Sequence, residues 1–149
     1  MDELRHRWDP QTAATVESHV TVIDEPADLE RLIAVAASMP PLRLRVSRSA
    51  RWLAPDPGLF LVVEDPQSDL RRFREAVLGP ERATFRAHVT LLHRDSIGSQ
   101  EQVDEAWASL GDLILDHEFV VTELIVHDLA DGQWREVARP RFAAQPGPL

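Results

Sequence analysis

The sequence predicts an α+β fold in which a duplicated, pseudo-twofold unit forms two lobes, with two antiparallel sheets facing a central cleft and the helices outside. The first observation behind this prediction is the tripeptide His-Val-Thr, which occurs at residues 19–21 and again at residues 88–90. The second is that a helix pattern and two strand patterns joined by a turn follow each copy. The third is that residues 70–85 align in outline with residues 1–16 at the offset that separates the two copies.

Length and composition bound the domain organisation. The chain has 149 residues, 44% of them hydrophobic, which is enough for one globular domain with its own core. We expect a single domain over residues 1–149, with lobes of roughly 1–65 and 66–143 and a loose tail at 144–149. No apolar run approaches the roughly 20 residues that span a bilayer, and the charged N-terminus is unlike a signal peptide. Together with the absence of cysteine, this predicts a cytoplasmic protein without a membrane partner.

Cysteine, lysine and tyrosine are all missing from the sequence. Their absence excludes disulfides, thiolate metal sites, lysyl adducts, Schiff bases and tyrosine nucleophiles. The formal net charge of −9 disfavours binding along an extended phosphate backbone, so we do not expect long duplex nucleic acid as a partner. The arginines nevertheless cluster at residues 43–51 and 71–74, and these clusters are either a local basic groove or ordinary solvated faces.

Local patterns assign the elements of the first half. In order, they predict a helical segment, a strand, a helix and two strands at residues 1–16, 19–23, 25–38, 42–53 and 59–64. The helix at 25–38 follows from apolar residues at helical spacing, and Pro40-Pro41 ends it. The strands follow from β-branched residues, from the alternation in LRLRVSRSARWL, and from the continuous apolar run LFLVVE, which is typical of a central strand. Within residues 1–16 the helix is followed by a turn around Asp9-Pro10, and PDPG is a turn between the two later strands.

The second half is assigned in the same way. Its predicted elements are a helix, a strand, a helix and two strands, at residues 66–79, 87–93, 99–115, 118–129 and 133–142. The segment PQSDLRRFREAVLG opens with Pro and closes with Gly, the usual limits of a helix, and its inward residues are Leu70, Phe73, Val77 and Leu78. Ser99 is a candidate N-cap for the second helix, and ADG is a hairpin turn between the last two strands.

The spacing within each motif predicts which side chains project together. In a strand, residues two apart point to the same face. His19 and Thr21 are therefore expected side by side, as are His88 and Thr90, while the residues between and after them point into a core. If the two copies face each other, the cleft receives two imidazoles and two hydroxyls.

This set of side chains suits displacement at the phosphorus of a phosphodiester. One imidazole takes a proton from the attacking oxygen and the other gives a proton to the leaving oxygen, because free imidazole has a pKa of about 6.5. The two hydroxyls donate to the non-bridging oxygens, where negative charge develops. Opening a 2',3'-cyclic phosphate with water needs neither a metal nor a cofactor, so we expect none. A small nucleotide or an RNA end is the expected substrate.

Other interpretations of the motifs remain open. A single His-x-Thr in a strand is an ordinary packing pattern, because threonine favours strands and histidine is often a satisfied interior residue. Repetition in equivalent positions favours a site, since duplicated packing residues would preserve apolar positions rather than a polar pair. A metal site on the two histidines needs a third ligand, and no HxxxH or HxH pattern supplies one. The alternatives to an enzyme are a non-catalytic nucleotide- or anion-binding module and a homo-oligomeric scaffold.

The two His-x-Thr-hydrophobic motifs, one in each copy of a duplicated unit, resemble the signature of the two-histidine (2H) phosphoesterase superfamily. WDPQTAATVESHVTVI and RAHVTLLHRD are similar to the motif neighbourhoods of its bacterial 2'-5' RNA ligase-like branch, and the resemblance covers about residues 5–142. It implies a bilobal fold with a cleft between the lobes, and metal-independent 2',3'-cyclic phosphodiesterase or RNA-end-joining activity. It also implies that His19 and His88 transfer the protons and that Thr21 and Thr90 contact phosphate oxygens.

Two features depart from the pattern of that family. In that family a strand usually precedes the first motif, and this sequence shows no pattern for it. The strand is either missing or replaced by the C-terminal segment or by a partner chain. We therefore expect a monomer or a homodimer. A basic residue is usual near the end of each motif strand, but Asp24 follows the first motif, while His93 and Arg94 follow the second. By strand parity Arg94 shares the face of His88, which makes it the candidate for a further phosphate contact; the alternative is a solvated arginine.

Several aromatic residues and histidines lie outside the motifs. The candidates for base stacking are Trp52, Phe60, Trp107 and Trp134. Helix periodicity places Trp107 in the core, whereas Trp52 and Trp134 lie near predicted strand ends. The remaining histidines with no motif around them, expected to be surface or structural, are His6, His117 and His127.

Overall fold

The structure, a computed structural model, describes residues 2–52, 57–110, 114–131 and 133–144. This part of the chain is α+β, with a four-stranded and a two-stranded antiparallel sheet, which confirms the predicted fold class. The first two residues of the predicted PDPG turn, the last residue of the ADG turn and the tail from residue 145 lie outside the described residues.

The elements follow in a simple order along the chain. The helices are α1 (Asp2–Trp8), α2 (Pro10–Thr15), α3 (Leu29–Ser38), α4 (Asp69–Leu78) and α5 (Gln100–Leu110). The strands are β1 (Leu42–Trp52), β2 (Gly58–Glu64), β3 (His88–Leu92), β4 (Ile114–Val121), β5 (Val126–Ala130) and β6 (Gln133–Ala138). Two short 3₁₀ helices lie at Pro80–Arg82 and Arg94–Ser96. None of the described helices has the length and hydropathy that crossing a membrane requires.

The chain forms two compact units, and each unit combines segments from both halves of the sequence. Unit 1 consists of Met1–Val22, Arg45–Glu64 and Arg86–His117. Unit 2 consists of Ile23–Leu44, Asp65–Phe85 and Glu118–Leu149. The single domain with sequential lobes at residues 1–65 and 66–143 stays a prediction.

The core of unit 1 lies on one face of the larger sheet, whose strand order is β3-β2-β1-β4. Strand β2 is central, as its apolar sequence predicts, and its Leu59 and Leu61 are fully buried. Helix α5 packs against β2 and buries Val103, Ala106 and Leu110 at helical spacing. Because successive side chains of a strand point to opposite faces, every second residue of these strands projects from the other face of the sheet.

Unit 2 contains α3, α4 and the two-stranded sheet of β5 and β6. Helix α3 starts later than predicted because the side chain of Asp28 caps it, accepting a hydrogen bond from the backbone N–H of Arg31 at 2.9 Å. Helix α4 buries the four predicted inward residues and ends at Gly79, whose φ of 97° suits only glycine. The rings of Phe73 and Phe142 meet edge to face at 5.5 Å between centroids.

The predicted strand over residues 19–23 is wrong. Residues 16–28 are irregular, and neither described sheet includes the first His-Val-Thr. The β-branched residues there fit a strand, but that preference is realised only where a neighbouring strand supplies hydrogen bonds and packing. The second motif has such a neighbour in β2, which explains why the same tripeptide adopts two conformations.

Two predicted boundaries near the C-terminus are also wrong. The helix predicted over 99–115 ends at Leu110, and Ile114 already belongs to β4, with residues 111–113 outside the described part. The single strand predicted over 118–129 is divided between β4 and β5. No Gly or Pro marks this break in the sequence, because it arises from long-range pairing: the backbone N–H of Leu124 donates to the carbonyl of Pro140 at 2.9 Å.

Candidate active site

The second motif lies on β3 as predicted. Val89 and Leu91 are 2% and 1% exposed, so they form part of the core. His88 and Thr90 alternate with them and are both half-buried on the opposite face of the sheet. Strand alternation therefore presents one imidazole and one hydroxyl together, which confirms the expectation for this motif.

The imidazole of His88 contacts both the backbone and a neighbouring ring. Its Nδ1 lies 2.8 Å from the backbone carbonyl oxygen of Arg86. A carbonyl can only accept, so Nδ1 carries the proton, and Nε2 is the basic nitrogen of the neutral ring. The ring also meets the ring of Phe60 edge to face, at 4.9 Å between centroids and 83° between planes. Both the orientation and the tautomer of His88 are thus defined by neighbouring groups.

The ring of Phe60 occupies space that a glycine leaves open. It pairs with Thr90 in the register of β2 and β3, so its side chain lies on the face that carries His88 and Thr90. A Cβ on Gly58 would lie 2.5 Å from Cζ of Phe60, closer than any real contact, so only glycine leaves room for the ring. Sequence reasoning grouped Phe60 with the stacking candidates and did not single out Gly58. The available signal was a glycine two residues before an aromatic residue at the start of a strand.

The first motif makes the same imidazole contact without a strand. Nδ1 of His19 lies 2.9 Å from the backbone carbonyl oxygen of Glu17, again two residues earlier. Its neutral ring therefore also has Nε2 as the basic nitrogen. His19 is exposed and Thr21 is half-buried in the irregular segment, so the parity argument that paired their side chains does not apply to this motif.

Asp9 links the N-terminal helices to the end of β3. Its Oδ1 caps α2 by accepting from the backbone N–H of Thr12 at 3.1 Å, and its Oδ2 accepts from the backbone N–H of His93 at 3.0 Å. The hydroxyls of Thr12 and Ser96 lie 3.2 Å apart and add a second link. Asp9 was interpreted only as part of a turn, although Asp followed by Pro is also the start signal of a helix.

The environment of Asp9 favours its charged form. The carboxyl is 1% exposed, and burial alone raises its pKa, but hydrogen bonds from His93, Ser96 and Thr12 outweigh burial and hold the pKa below the ordinary value. The segment that leads to His19 has a further contact, from Nη1 of Arg5 to Oγ of Ser18 at 3.3 Å. His19, Thr21, His88 and Thr90 accordingly all belong to unit 1.

Arg94 is not on the motif strand. Strand β3 ends at Leu92 and a 3₁₀ helix begins at Arg94, so the parity argument that placed Arg94 beside His88 does not extend to it. Its side chain is 55% exposed, and Nε lies 3.5 Å from a carboxylate oxygen of Asp95. Its role as a phosphate contact stays a prediction.

Asp24 forms part of a cluster in unit 2 with Glu25 and Arg74. Burial and the neighbouring carboxylate of Glu25 raise the pKa of Asp24. Glu25 accepts from Nη2 of Arg74 at 2.9 Å, and although burial opposes it, this partner lowers the pKa of Glu25. The structure thus gives Asp24 a partner other than a motif histidine.

The remaining candidates have diverse surroundings. Trp107 is half-buried beneath the guanidinium of Arg51, which lies 5.5 Å from its ring centroid, and Trp134 is 66% exposed. The side chain of Trp52 lies outside the described part, while His6, His117 and His127 are exposed. Within the described ranges, there is no group of three or more histidine or carboxylate side chains that could hold a metal ion.

A cavity of about 400 Å³ lies in unit 2 and is bordered by Pro41, Val120 and Phe142 among others. None of the motif residues lines it.

The α+β fold with its two antiparallel sheets matches solved structures over nearly the whole chain. No protein-family model matches the sequence, and no curated protein matches it. The chain is similar to LigT of Escherichia coli in complex with NADP+, at 17% identity and a TM-score of 0.52, over 97% of this chain and 93% of that one. It is similar to TT0787 of Thermus thermophilus, at 15% identity and a TM-score of 0.54, over 98% of this chain and 95% of that one. It is also similar to LigT complexed with 3'-AMP, at 17% identity and a TM-score of 0.50, over 97% of this chain and 93% of that one.

At these identities the likeness defines the fold. The chain has the fold of LigT, in agreement with the α+β fold of two antiparallel sheets that the sequence predicts.

Proposed function

We propose that this protein is a metal-independent phosphoesterase of the two-histidine type. It acts on a 2',3'-cyclic phosphate or a 2'-5' phosphodiester of a nucleotide or RNA end. The observation that carries the proposal is the equivalent contact of His19 and His88, each with Nδ1 on the backbone carbonyl two residues earlier. The shared contact places the proton on Nδ1 in both rings, although one motif is a strand and the other is irregular, and it leaves Nε2 of each ring available for proton transfer.

The arrangement supports acid–base catalysis at phosphorus. With Nδ1 protonated, the neutral imidazole accepts a proton at Nε2, and the imidazolium donates one from Nε2. In hydrolysis, one histidine takes a proton from water as its oxygen bonds to phosphorus. The other gives a proton to the 2' or 3' oxygen as that P–O bond breaks, leaving a phosphomonoester. Thr21 and Thr90 donate to the non-bridging oxygens and stabilise their charge.

The fold and the net charge of the chain indicate which class of substrate we expect. The similar LigT structures are complexes with NADP+ and with 3'-AMP, both nucleotides, and this likeness supports a nucleotide ligand here. The net charge of −9 favours a short substrate over a long polynucleotide. We retain the expectation that the protein works in the cytoplasm, as a monomer or homodimer, with no cofactor.

One observation favours a second candidate function, a non-catalytic nucleotide-binding module. The first motif lies in an irregular, partly exposed segment, so His19 is less constrained by its surroundings than His88. A protein that binds a phosphate through the His88 side alone would retain the fold and lose turnover.

Turnover assays separate the two candidates. The wild type, His19→Ala and His88→Ala are assayed with 2',3'-cyclic nucleotides and 2'-5' dinucleotides in the presence of EDTA, with His6→Ala and His117→Ala as matched controls at exposed histidines. We expect each motif variant to lose about 10²–10⁴-fold in kcat and the controls to retain activity. A wild type that binds these nucleotides but turns over none of them supports the binding module, and activity abolished by EDTA refutes the metal-independent mechanism.

A further inference from the structure

An irregularity in β1 changes which of its arginines share a face. Arg45 pairs with Glu64 and Arg48 pairs with Val62 on β2, and the register shifts between Val46 and Arg48. Glu64 and Val62 are two apart in a regular strand, so their side chains share a face, and so do those of Arg45 and Arg48. Without the extra residue, positions three apart would lie on opposite faces.

The same register aligns Arg48 with His88. Val62 pairs with Arg48 on one neighbouring strand and with His88 on the other, so the three residues form one row across the sheet. Directly opposed residues point to the same side, which places Arg48 on the face that presents His88 and Thr90. With neighbouring strands about 4.8 Å apart, the Cα atoms of Arg48 and His88 are separated by about 10 Å.

Unlike the other arginines of β1 in unit 1, Arg48 has no carboxylate partner among the described residues. Arg45 lies 2.8 Å from a carboxylate oxygen of Asp116, and Arg51 lies 3.0 Å from one of Asp104. Arg48 is exposed and forms no ion pair with any residue in the described ranges. In a chain with a net charge of −9, an arginine left without a carboxylate on the face that carries His88 is a local site for an anion.

We propose that Arg48 binds a second phosphate of the substrate, next to the one that reacts at His88. This rests on the proposed function, which places the reacting phosphate at His88. The separation along the row exceeds what one phosphate can bridge, but one nucleotide and the arginine side chain together span it. The guanidinium fork matches phosphate oxygens in two parallel hydrogen bonds. The substrate class is therefore a nucleotide with two phosphate groups, such as an RNA end, rather than an isolated nucleoside cyclic phosphate.

Calorimetric binding of two probes tests the proposal without requiring turnover. Adenosine 3'-monophosphate carries one phosphate, and adenosine 3',5'-bisphosphate carries the second. We expect the wild type to bind the bisphosphate about tenfold or more tightly than the monophosphate. Arg48→Gln should remove this preference and leave the affinity for the monophosphate unchanged. Arg51→Gln is the matched control, because it removes the same charge from the other face of the same strand and should keep the preference.

Each other outcome contradicts a defined part of the argument. The second-phosphate site is wrong if Arg48→Gln retains the preference, or if the wild type binds both probes equally. A preference that disappears in Arg48→Gln, in a protein that shows no turnover, supports the site while refuting the enzymatic function. If neither probe binds, both proposals are wrong. Thermal unfolding of each variant confirms that differences in affinity do not come from unfolding.

Discussion

The carboxylate of Asp9 accepts a hydrogen bond from the backbone N–H of His93, a residue 84 positions later in the sequence. The same carboxylate caps α2, so one buried side chain fixes both the start of a helix and the end of the strand that carries His88. Because α1 also packs against β3, the N-terminal helices and the second motif form one continuous assembly within unit 1. Asp9 is accordingly a key residue for the stability of this unit.

Replacing Asp9 by alanine should lower the free energy of unfolding by about 2–4 kcal/mol. The change removes a helix cap, which contributes about 1 kcal/mol, and leaves the part-buried N–H of His93 without its charged acceptor. Urea denaturation of the wild type and of Asp9→Ala measures the loss. Glu3→Ala, at an exposed position of α1, is the control and should change little. An equal effect of both substitutions would show that the Asp9 contacts contribute nothing specific.

The contribution of the Asp9 charge to the free energy of unfolding should depend on pH. Since hydrogen bonds hold its pKa below the ordinary carboxyl value of about 3.9, ionised Asp9 stabilises the folded state above that pH. This stabilisation is lost as the pH falls through the lower folded-state pKa. The difference in unfolding free energy between the wild type and Asp9→Asn should therefore be constant from pH 7 to 5 and shrink towards pH 3. Asp128→Asn, at an exposed position, is the control, and a pH-independent difference for Asp9→Asn would contradict the prediction.

Substituting Gly58 by alanine should disturb His88 through Phe60. The new Cβ would meet Cζ of Phe60, so the ring must move and its edge contact with the imidazole is lost. We expect a loss of about 1–3 kcal/mol in stability and a shifted NMR resonance of the His88 imidazole. The double variant Gly58→Ala/Phe60→Leu relieves the clash and should be more stable than Gly58→Ala.

Gly98→Ala is the matched glycine control for that experiment. There a new Cβ would meet only the side-chain oxygen of Gln102, at 3.6 Å, which is an ordinary contact. Its effect on the His88 resonance should be absent. If Gly58→Ala leaves the resonance and the stability unchanged as well, Phe60 does not position the imidazole.

Arg74 should be one of the most sensitive positions of unit 2. Its guanidinium is 1% exposed, contacts Glu25 and the carbonyl of Arg82 at 2.9 Å each, and lies 4.3 Å from the ring centroid of Phe85. Arg74→Ala leaves the Glu25 carboxylate without its cationic partner and opens a cavity, so we expect a loss of about 3–5 kcal/mol in denaturant unfolding. Arg71→Ala, exposed on the same helix, should cost less than 1 kcal/mol, and a similar effect of both would contradict this account.

Local patterns in the sequence predicted the elements whose form depends on their own residues. The alternation of HVTLL and the apolar run of β2 are sufficient to place His88 and Thr90 on one face and the core on the other. The first motif is not a strand because none of the described strands pairs with its β-branched residues, and a single sequence does not contain that information. The relation of Arg48 to His88 was equally hidden, since it depends on a register shift and on the pairing of three strands.

The acceptors for the two histidines are main-chain oxygens, at Glu17 and Arg86. A side-chain substitution at either position leaves its carbonyl in place, so the tautomer of each imidazole is determined by the path of the backbone rather than by the identity of a neighbouring residue. Alanine scanning around the motifs will therefore not detect these partners. Replacing an amide bond with an ester would detect them, because an ester carbonyl is a weaker acceptor. The two motifs can thus share the same histidine chemistry while the residues two positions before them differ in charge.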